Sequence, residues 1–398
     1  MARPLEGLTA LDLATFVAAP FCCTLMGEFG AEVIKVEQPG VGDDLRRLGR
    51  ASADGPSYMW LVEARNKKSI TCNLRSAEGQ ALIKRLAVGA DIVAENFRPG
   101  TLERWHLGWD DLRAVNRGLV LVRISAFGQT GPSRERPGFG RIAAAVGGAS
   151  YVTGYPDRPP VPPGTPTIPD YLAGVMGAFG ALAAIHHRAR TGEGQVVDVA
   201  LYEPLLRMLD EVLPAYAAEG HVRERIGSGT EYVTPHNHYQ ARDGRWIAIA
   251  CTNDRMFERL VTGAMKRPEL LADFATVGAR LKRRVELDAL VQGWVGDHDA
   301  ADALARLEAA EVPSSPVNSV RDLFADPHIA ARENILAVTS PLGTLVRMAG
   351  IVPKLSATPG RVDALGPQEP GAHNEEIYGE RLGLGRDALA DLRARGVI

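Results

Sequence analysis

The stretch LTALDLATFVAAPFCCTLMGEFGAEVIKVEQPG, residues 8–40, decides the fold. Two short runs dense in Val, Ile and Leu, LTALDLA and AEVIKVE, read as strands. Between them FCCTLMGEFG reads as a helix that ends at glycine. The same alternation continues downstream. KSITCNL, DIVAENF and GLVLVRISAFG are strand candidates, and EGQALIKRLAVGA and TLERWHLGWDDLRAVN are helix candidates between them. Strand and helix in alternation predict a mostly parallel sheet with helices on both faces, and the apolar density of the strands fits burial on both sides.

Further along, GYPDRPPVPPGTPTIP is too rich in proline for a helix interior. A long helix is expected from Asp170 to about His187, and TGEGQVVDVALYEPLLRMLDEVL then reads as turn, strand and helix. Residues 217–230 turn polar and glycine-rich, as a linker does. GRWIAIACT is a strand, and charged helical segments from DRMFERLVTGAM to AADALARLEAAEV suggest a smaller second domain. RDLFADPHIAARENI looks like the chain's return, and NEEIYGERLGLGRDALADLRARGVI reads as an amphipathic helix. The expected division is residues 1–205 for a large domain, 206–228 for a linker, 229–325 for a small α+β domain and 326–398 for the return into the large domain.

The chain has 398 residues, 45% of them hydrophobic, enough for a large core and more than one domain. A net charge of −3 with interspersed signs argues against a nucleic-acid or anionic-membrane partner. The four cysteines, Cys22, Cys23, Cys72 and Cys251, form no C-x-x-C pair, so redox and metal motifs are absent and a reducing compartment is expected. Glu6 and Asp12 interrupt what would have to be the apolar run of a signal peptide. The most apolar run, YLAGVMGAFGALAAIHH, reads as too short and too glycine-rich for a bilayer span. A soluble cytoplasmic protein is the expectation.

A doubly wound sheet invites a dinucleotide, but the first turn, ATFVAAPF, lacks G-x-G-x-x-G, and Glu37 after the second strand is a lone acid. P-loop and G-x-S-x-G patterns are also missing. His236 and His238 share a strand face without an evident third ligand, so no metal site is expected. His186 and His187 near a helix end read as structural.

One carboxylate stands out. In TPTIPDYLAG, residues 165–174, Asp170 lies between a proline-broken loop and a small, apolar helix. Such an Asp is ordinarily a helix N-cap. A helix start also favours an ionised carboxylate that points to open space, which is what a carboxylate nucleophile needs. Ala173, Gly174 and Gly177 would admit a close neighbour, helix or ligand.

Nine stretches in register carry a resemblance across essentially the whole chain: RPLEGLTALDLATFVAAP, FGAEVIKVEQPGVGDDLR, RNKKSITCNLRSAEG, DIVAENFRPGTLERWHLG, ISAFGQTGP, PDYLAG, RTGEGQVVDVAL, VPSSPVNSVRDLFADPHIAAR and GAHNEEIYGERLGLGRDALADLRARGVI. The sequence resembles the class III CoA-transferases of the CaiB/BaiF type, relatives of formyl-CoA transferase and α-methylacyl-CoA racemase. The resemblance implies a Rossmann-like large domain with a smaller α+β domain and an interlocked homodimer. It also implies coenzyme A or acyl-CoA as substrate rather than a tightly bound cofactor. The nucleophile falls on Asp170. CoA positions fall on Val17, Ala18, Gln38, Asn73, Leu74, Arg75, Asn96, Phe97, Arg98, Arg104, Pro137, Gly138, Phe139 and Gly140. Arg75, Arg98 and Arg104 would serve the CoA phosphates, the bland alternative for each being solvated surface. Gln38 departs from the arginine of the formyl-CoA enzyme.

The resemblance also implies a mechanism through an aspartyl anhydride and an aspartyl-CoA thioester. Racemases of the family carry a His where this chain has Phe139, and phenylalanine takes no proton, so transfer is expected over the alternative of 2-methylacyl-CoA racemisation. An inactive CoA-binding homologue is the non-enzymatic alternative, against which Asp170 argues. The glycine-rich lid of formyl-CoA transferase is replaced by IGSGTEYVTPHNHYQARDG, which points away from formyl-CoA. Succinyl-CoA is the expected donor, with His236, His238, Arg46 and Arg47 as candidates for the distal carboxylate of a dicarboxylic acid.

Overall fold

The structure is a computed structural model that describes residues 3–398. Its centre is a six-stranded sheet: β1 (Thr9–Asp12), β2 (Glu32–Glu37), β3 (Lys67–Thr71), β4 (Ile92–Glu95), β5 (Val120–Ser125) and β6 (Val196–Ala200). The order is β3-β2-β1-β4-β5-β6, and every pairing is parallel. The chain winds outward from β1 in both directions, so the order reverses between β1 and β4. In such sheets the loops leaving those two strands part at their carboxyl ends and open a crevice.

Both faces of the sheet are covered. On one, α1 (Ala18–Glu28) lies with a long helix across Val33, Ile92, Val120 and Val122. On the other, Leu82, Ile83 and Leu86 of α2 (Ala77–Ala87) pack with Leu11, Ile34, Ile70 and Val93, joined by Tyr378, Leu389 and Leu392 from the end of the chain. A short α3 (Gly140–Val146) precedes the long helix, α4 (Ile168–Thr191). The small residues of α4 are used for close approach. A Cβ on Gly174 would stand 2.7 Å from the Ala18 carbonyl oxygen, and one on Gly177 2.9 Å from Ile124 Cδ1. Thus α1 and the sheet, rather than a ligand, fill that space. At 24 residues α4 is longer than the apolar run suggests and has the length and hydropathy of a membrane span. Its Ala173, Gly177, Ala181 and Ala184 face is nevertheless buried in this core.

Two compact units are present. The first comprises residues 1–149, 162–219 and 331–398, and the second residues 150–161 and 220–330. In the second, β7 (His236–Gln240), β8 (Trp246–Ala250) and β9 (Ser314–Pro316) form an antiparallel sheet. Ile247 and Ile249 pack there with Phe257, Leu287, Val291 and Leu307 from its helices. In the first, the returning chain forms the antiparallel pair β10 (Ile335–Thr339) and β11 (Leu345–Ala349), whose Val346 and Met348 pack on Trp60, Leu61 and Val17.

Two expected helices are broken. TLERWHLGWDDLRAVN divides into Thr101–Arg104 and Trp109–Val115, with His106 between them at φ +52. The last helix divides into Glu375–Arg381 and Arg386–Ala394, with Gly383 between them at φ +71. In both, a left-handed residue ends one helix before the next begins.

Candidate active site

The loops after β1 and β4 face each other as the strand order requires. Thr15–Ala18 and Asn96–Pro99 line one cavity of about 220 Å³, together with Ile124–Ala126, Arg134, Arg136, Pro137–Phe139, Leu201 and Asp170. Asn96 ties the two loops. Its Oδ1 accepts the Thr15 N–H at 2.8 Å, and its Nδ2 donates to the Thr15 carbonyl at 2.6 Å.

Asp170 does not cap its helix. Thr167 holds the N-cap position without a side-chain bond, and Asp170 sits three residues inside, after Pro169. Its carboxylate folds over Gly140 instead. A Cβ on Gly140 would lie 2.3 Å from Asp170 Oδ2 and 2.4 Å from the Pro166 carbonyl oxygen. Burial raises the Asp170 carboxyl to about 6, against only its own backbone N–H. Among the described residues no lysine, arginine or histidine pairs with it, so the charge is desolvated and uncompensated. A half-buried carboxylate without an ionic partner, lining a cleft, is a candidate functional group.

Phe139 stands at the cavity's edge, 67% exposed, with Phe16 edge-on at 6.1 Å. The groups lining this cavity that can carry charge are Asp170, Arg98, Arg134 and Arg136. Arg136 lies over the Phe127 ring at 5.1 Å.

Two further cavities share walls with the first. One of about 600 Å³ holds Arg98, Arg104, Arg123, Gln129 and Arg134 with two acids, Glu103 on Arg123 at 2.7 Å and Glu135 on Arg134 at 3.4 Å. Another of about 380 Å³ holds Gln38, Asn73, Leu74, Arg75, Thr15, Phe97 and Trp105. Phe97 meets Trp105 edge-on at 5.0 Å, which gives that cavity an aromatic floor. Arg98 and Arg134 belong to two cavities, and so do Thr15 and Phe97. The result is one extended, arginine-flanked cleft along the carboxyl ends of the strands.

Thus every residue expected to meet CoA lies on this cleft except Gly140, which is buried under Asp170. Arg134 and Arg136 are additions that the sequence reading misses, although SRERPGFG sets two arginines directly before an expected CoA segment. The substrate candidates are placed differently. Arg46 is buried and held in place by its neighbours. It donates to both Glu37 oxygens at 2.6 and 2.8 Å and to the carbonyls of Pro367 and Gln368, and it stacks on Trp60 at 3.9 Å. Four of its five N–H groups are taken, and its burial keeps it from a substrate. The same pairing, with Ser69 on Glu37 Oε1, denies Glu37 to a ribose. Arg47 is exposed and bonds Asp44 and the Val41 carbonyl, each at 2.7 Å. His236 and His238 lie on β7 of the second unit. Among the described residues no group of three or more His, Cys, Asp or Glu is placed to hold a metal ion.

Fold and cleft define an α/β architecture with an extended cleft that holds several arginines and one unpaired carboxylate. The family model for CoA-transferase family III matches residues 5–374. The chain is 46% identical over 399 residues to the beta subunit of a succinyl-CoA–L-malate CoA-transferase of Chloroflexus aurantiacus, covering 99% of this chain and 98% of that one. It is 47% identical over 398 residues to a succinyl-CoA–D-citramalate CoA-transferase of the same organism, covering 100% and 98%. The structure of a CaiB/BaiF family protein from Brucella suis matches with a TM-score of 0.84 at 34% identity, over 96% of this chain and 100% of that one. The protein belongs to CoA-transferase family III and is a CoA-transferase.

Proposed function

We propose that the enzyme moves CoA from succinyl-CoA to a small carboxylic acid, a four- or five-carbon dicarboxylate, with Asp170 as the covalent nucleophile. The observation that carries this is the Asp170 carboxylate, desolvated, without an ionic partner and open to the arginine-flanked cleft. The donor and the acid class follow the printed activities of the two Chloroflexus relatives.

The chemistry suits a carboxylate. The Asp170 oxygen attacks the thioester carbonyl, the C–S bond breaks, and an acyl-aspartyl anhydride and CoA thiolate form. The thiolate attacks the aspartyl carbonyl and expels the donor acid as its carboxylate, leaving an aspartyl-CoA thioester. The acceptor carboxylate attacks that thioester and frees the thiolate again. The thiolate then attacks the acceptor's acyl carbonyl, which restores Asp170 and yields the new acyl-CoA. No proton need move, in keeping with a cavity lined by arginines and one carboxylate. A carboxyl raised to about 6 is still mostly ionised at neutral pH and is more basic than an ordinary aspartate. Arg98, Arg104 and Arg134 would meet the phosphates, and the Phe97–Trp105 corner the adenine.

A cytoplasmic homodimer is part of the same reading. Val175, Phe179 and Leu182 on α4 are exposed, Phe179 by 71%, and so are Leu213 and Tyr216 on the helix Val212–Glu219. Exposed apolar side chains in such number support a face that a second copy covers.

The test is to trap the intermediate. Enzyme incubated with succinyl-CoA and quenched with hydroxylamine should carry a hydroxamate on the peptide that holds Asp170. Asp170→Ala should fold, bind CoA and lose both the adduct and turnover. An unlabelled Asp170, or a fully active alanine variant, would refute the proposal.

A further inference from the structure

The loop from β1 to α1 forms one wall of the cavity that holds Asp170, and its backbone is unusual. Phe16 has φ +62, in the left-handed region that side chains with a Cβ rarely enter. Such a conformation persists only where the surroundings hold it.

Here they hold it with buried charge. The Phe16 N–H donates to Asp43 Oδ1 at 3.1 Å, and the same oxygen accepts the Leu45 N–H at 2.9 Å. Asp43 Oδ2 lies 2.9 Å from Lys35 Nζ, and the Asp43 N–H donates to Glu37 Oε2 at 2.8 Å. Lys35 also donates to the Ala14 carbonyl and stands 3.6 Å from Asp12. Asp12 accepts the Ala14 N–H at 3.2 Å and pairs with Lys67 at 2.9 Å, while Lys67 donates to the Pro20 carbonyl at 2.6 Å. Asp12, Lys35, Asp43 and Lys67 are all buried. Burial alone would raise the Asp43 carboxyl, but Lys35 and the N–H groups of Leu45 and Phe16 bring it below the ordinary value. Around Phe16, then, three strands lend charged side chains whose backbone contacts fall on residues 14–20.

A buried ion network is not what stability alone calls for, since apolar residues of similar volume commonly do as well or better. What this network does is fix a backbone. Val17 is the N-cap of α1 and has no side-chain cap, and Val17 and Ala18 line the cavity. A thioester presented to Asp170 must lie against this turn, where a displacement of even about 1 Å is costly to reaction geometry.

We propose that Asp43, anchored by Lys35, is a positioning residue for CoA transfer: it holds Phe16 in its left-handed conformation and so sets the Thr15–Ala18 wall against the Asp170 carboxylate. The inference rests on the reading of Asp170 as nucleophile.

Single-turnover release of CoA from succinyl-CoA, calorimetric binding of free CoA and thermal melts test it together. Asp43→Ala should slow acyl-enzyme formation about 30-fold or more, with CoA affinity within about threefold of the parent. Asp43→Asn keeps an acceptor oxygen for the Phe16 N–H but sets an amide nitrogen against Lys35 Nζ, so it should slow acyl-enzyme formation by more than about threefold, though less than alanine does, with CoA affinity kept. If the alanine variant does not fold, the asparagine variant decides, and a parental rate there overturns the proposal. So does an alanine variant with the parent rate, or one whose CoA affinity falls in step with its rate. Absence of any Asp170 adduct in the parent enzyme would instead count against the nucleophile itself.

Discussion

The Asp170 carboxylate rests on Gly140, and no side chain fits between them: a Cβ there would lie 2.3 Å from Oδ2 and 2.4 Å from the Pro166 carbonyl. The Pro166 carbonyl is backbone and cannot swing away, so the carboxylate must give way. Gly140→Ala should therefore displace the nucleophile and cost about 1–3 kcal/mol of stability through overpacking. The rate of acyl-enzyme formation should fall about 100-fold, while the CoA cleft around Asn73–Arg75 stays intact. Rapid-quench kinetics and a melting curve check this, and an alanine variant with parental kinetics would show that the carboxylate has room elsewhere.

The pH dependence has a definite sign. Burial raises Asp170 to about 6, and the reaction needs the anion. Acyl-enzyme formation should be flat above pH 7 and fall about tenfold per unit well below pH 6. Stability runs the other way. The folded state holds this proton more tightly than the unfolded chain, so its contribution to stability declines as pH rises from the ordinary aspartate range through about 6. Asp170→Asn removes the buried charge. At pH 8 it should be more stable than the parent by about 2 kcal/mol, with the gap closing near pH 4. Paired urea melts at the two pH values measure it, and an equal gap at both would contradict a raised Asp170.

Much of this architecture is legible in the amino-acid sequence. All six strands of the parallel sheet coincide with runs that read as strands, most clearly β4 and β5, whose residues are buried on both faces. The helix breaks at His106 and Gly383 are not legible, since a single left-handed residue leaves the apolar period intact. Asp170 is legible, but as a cap. Sequence shows which residue follows the prolines, not that the helix starts two residues earlier at Ile168. Arg46 misleads because an arginine in a polar loop looks solvated. Its burial depends on Glu37, Trp60 and the returning segment at Pro367–Gln368, partners up to 322 residues away. The clamp on Phe16 is hidden for the same reason, as it joins three strands and a loop.

The arginines of the cleft can be ranked. Arg98 and Arg134 line both the Asp170 cavity and its larger neighbour, whereas Arg47 lines neither and bonds Asp44. Arg98→Ala or Arg134→Ala should weaken succinyl-CoA binding by about 1–3 kcal/mol each, seen chiefly in KM and more strongly at low salt. Arg47→Ala should leave KM within about twofold. Steady-state kinetics at two ionic strengths test this, and a larger effect at Arg47 than at Arg98 would move the phosphate site away from the cleft.

The last prediction separates transfer from racemisation. Moving an α-hydrogen with inversion takes a base on one face of the carbon and an acid on the other. The Asp170 cavity offers one carboxylate, and the Phe139 ring, edge-on to Phe16, lines it with no group that takes a proton. The remaining charged lining groups are arginines, which do not give up protons at neutral pH. A chiral 2-methylacyl-CoA incubated in heavy water should therefore keep its configuration. CoA should meanwhile pass from succinyl-CoA to an added dicarboxylic acid with ping-pong kinetics, because a covalent enzyme species separates the two halves. Phe139→His would supply the missing ring nitrogen at the cavity edge. That variant should take up deuterium from solvent faster than the parent, at a rate that Asp170→Asn abolishes. Inversion by the parent enzyme at a rate comparable to transfer would mean that a second proton carrier reaches the α-carbon, and the assignment of Asp170 as nucleophile rather than base would have to be given up.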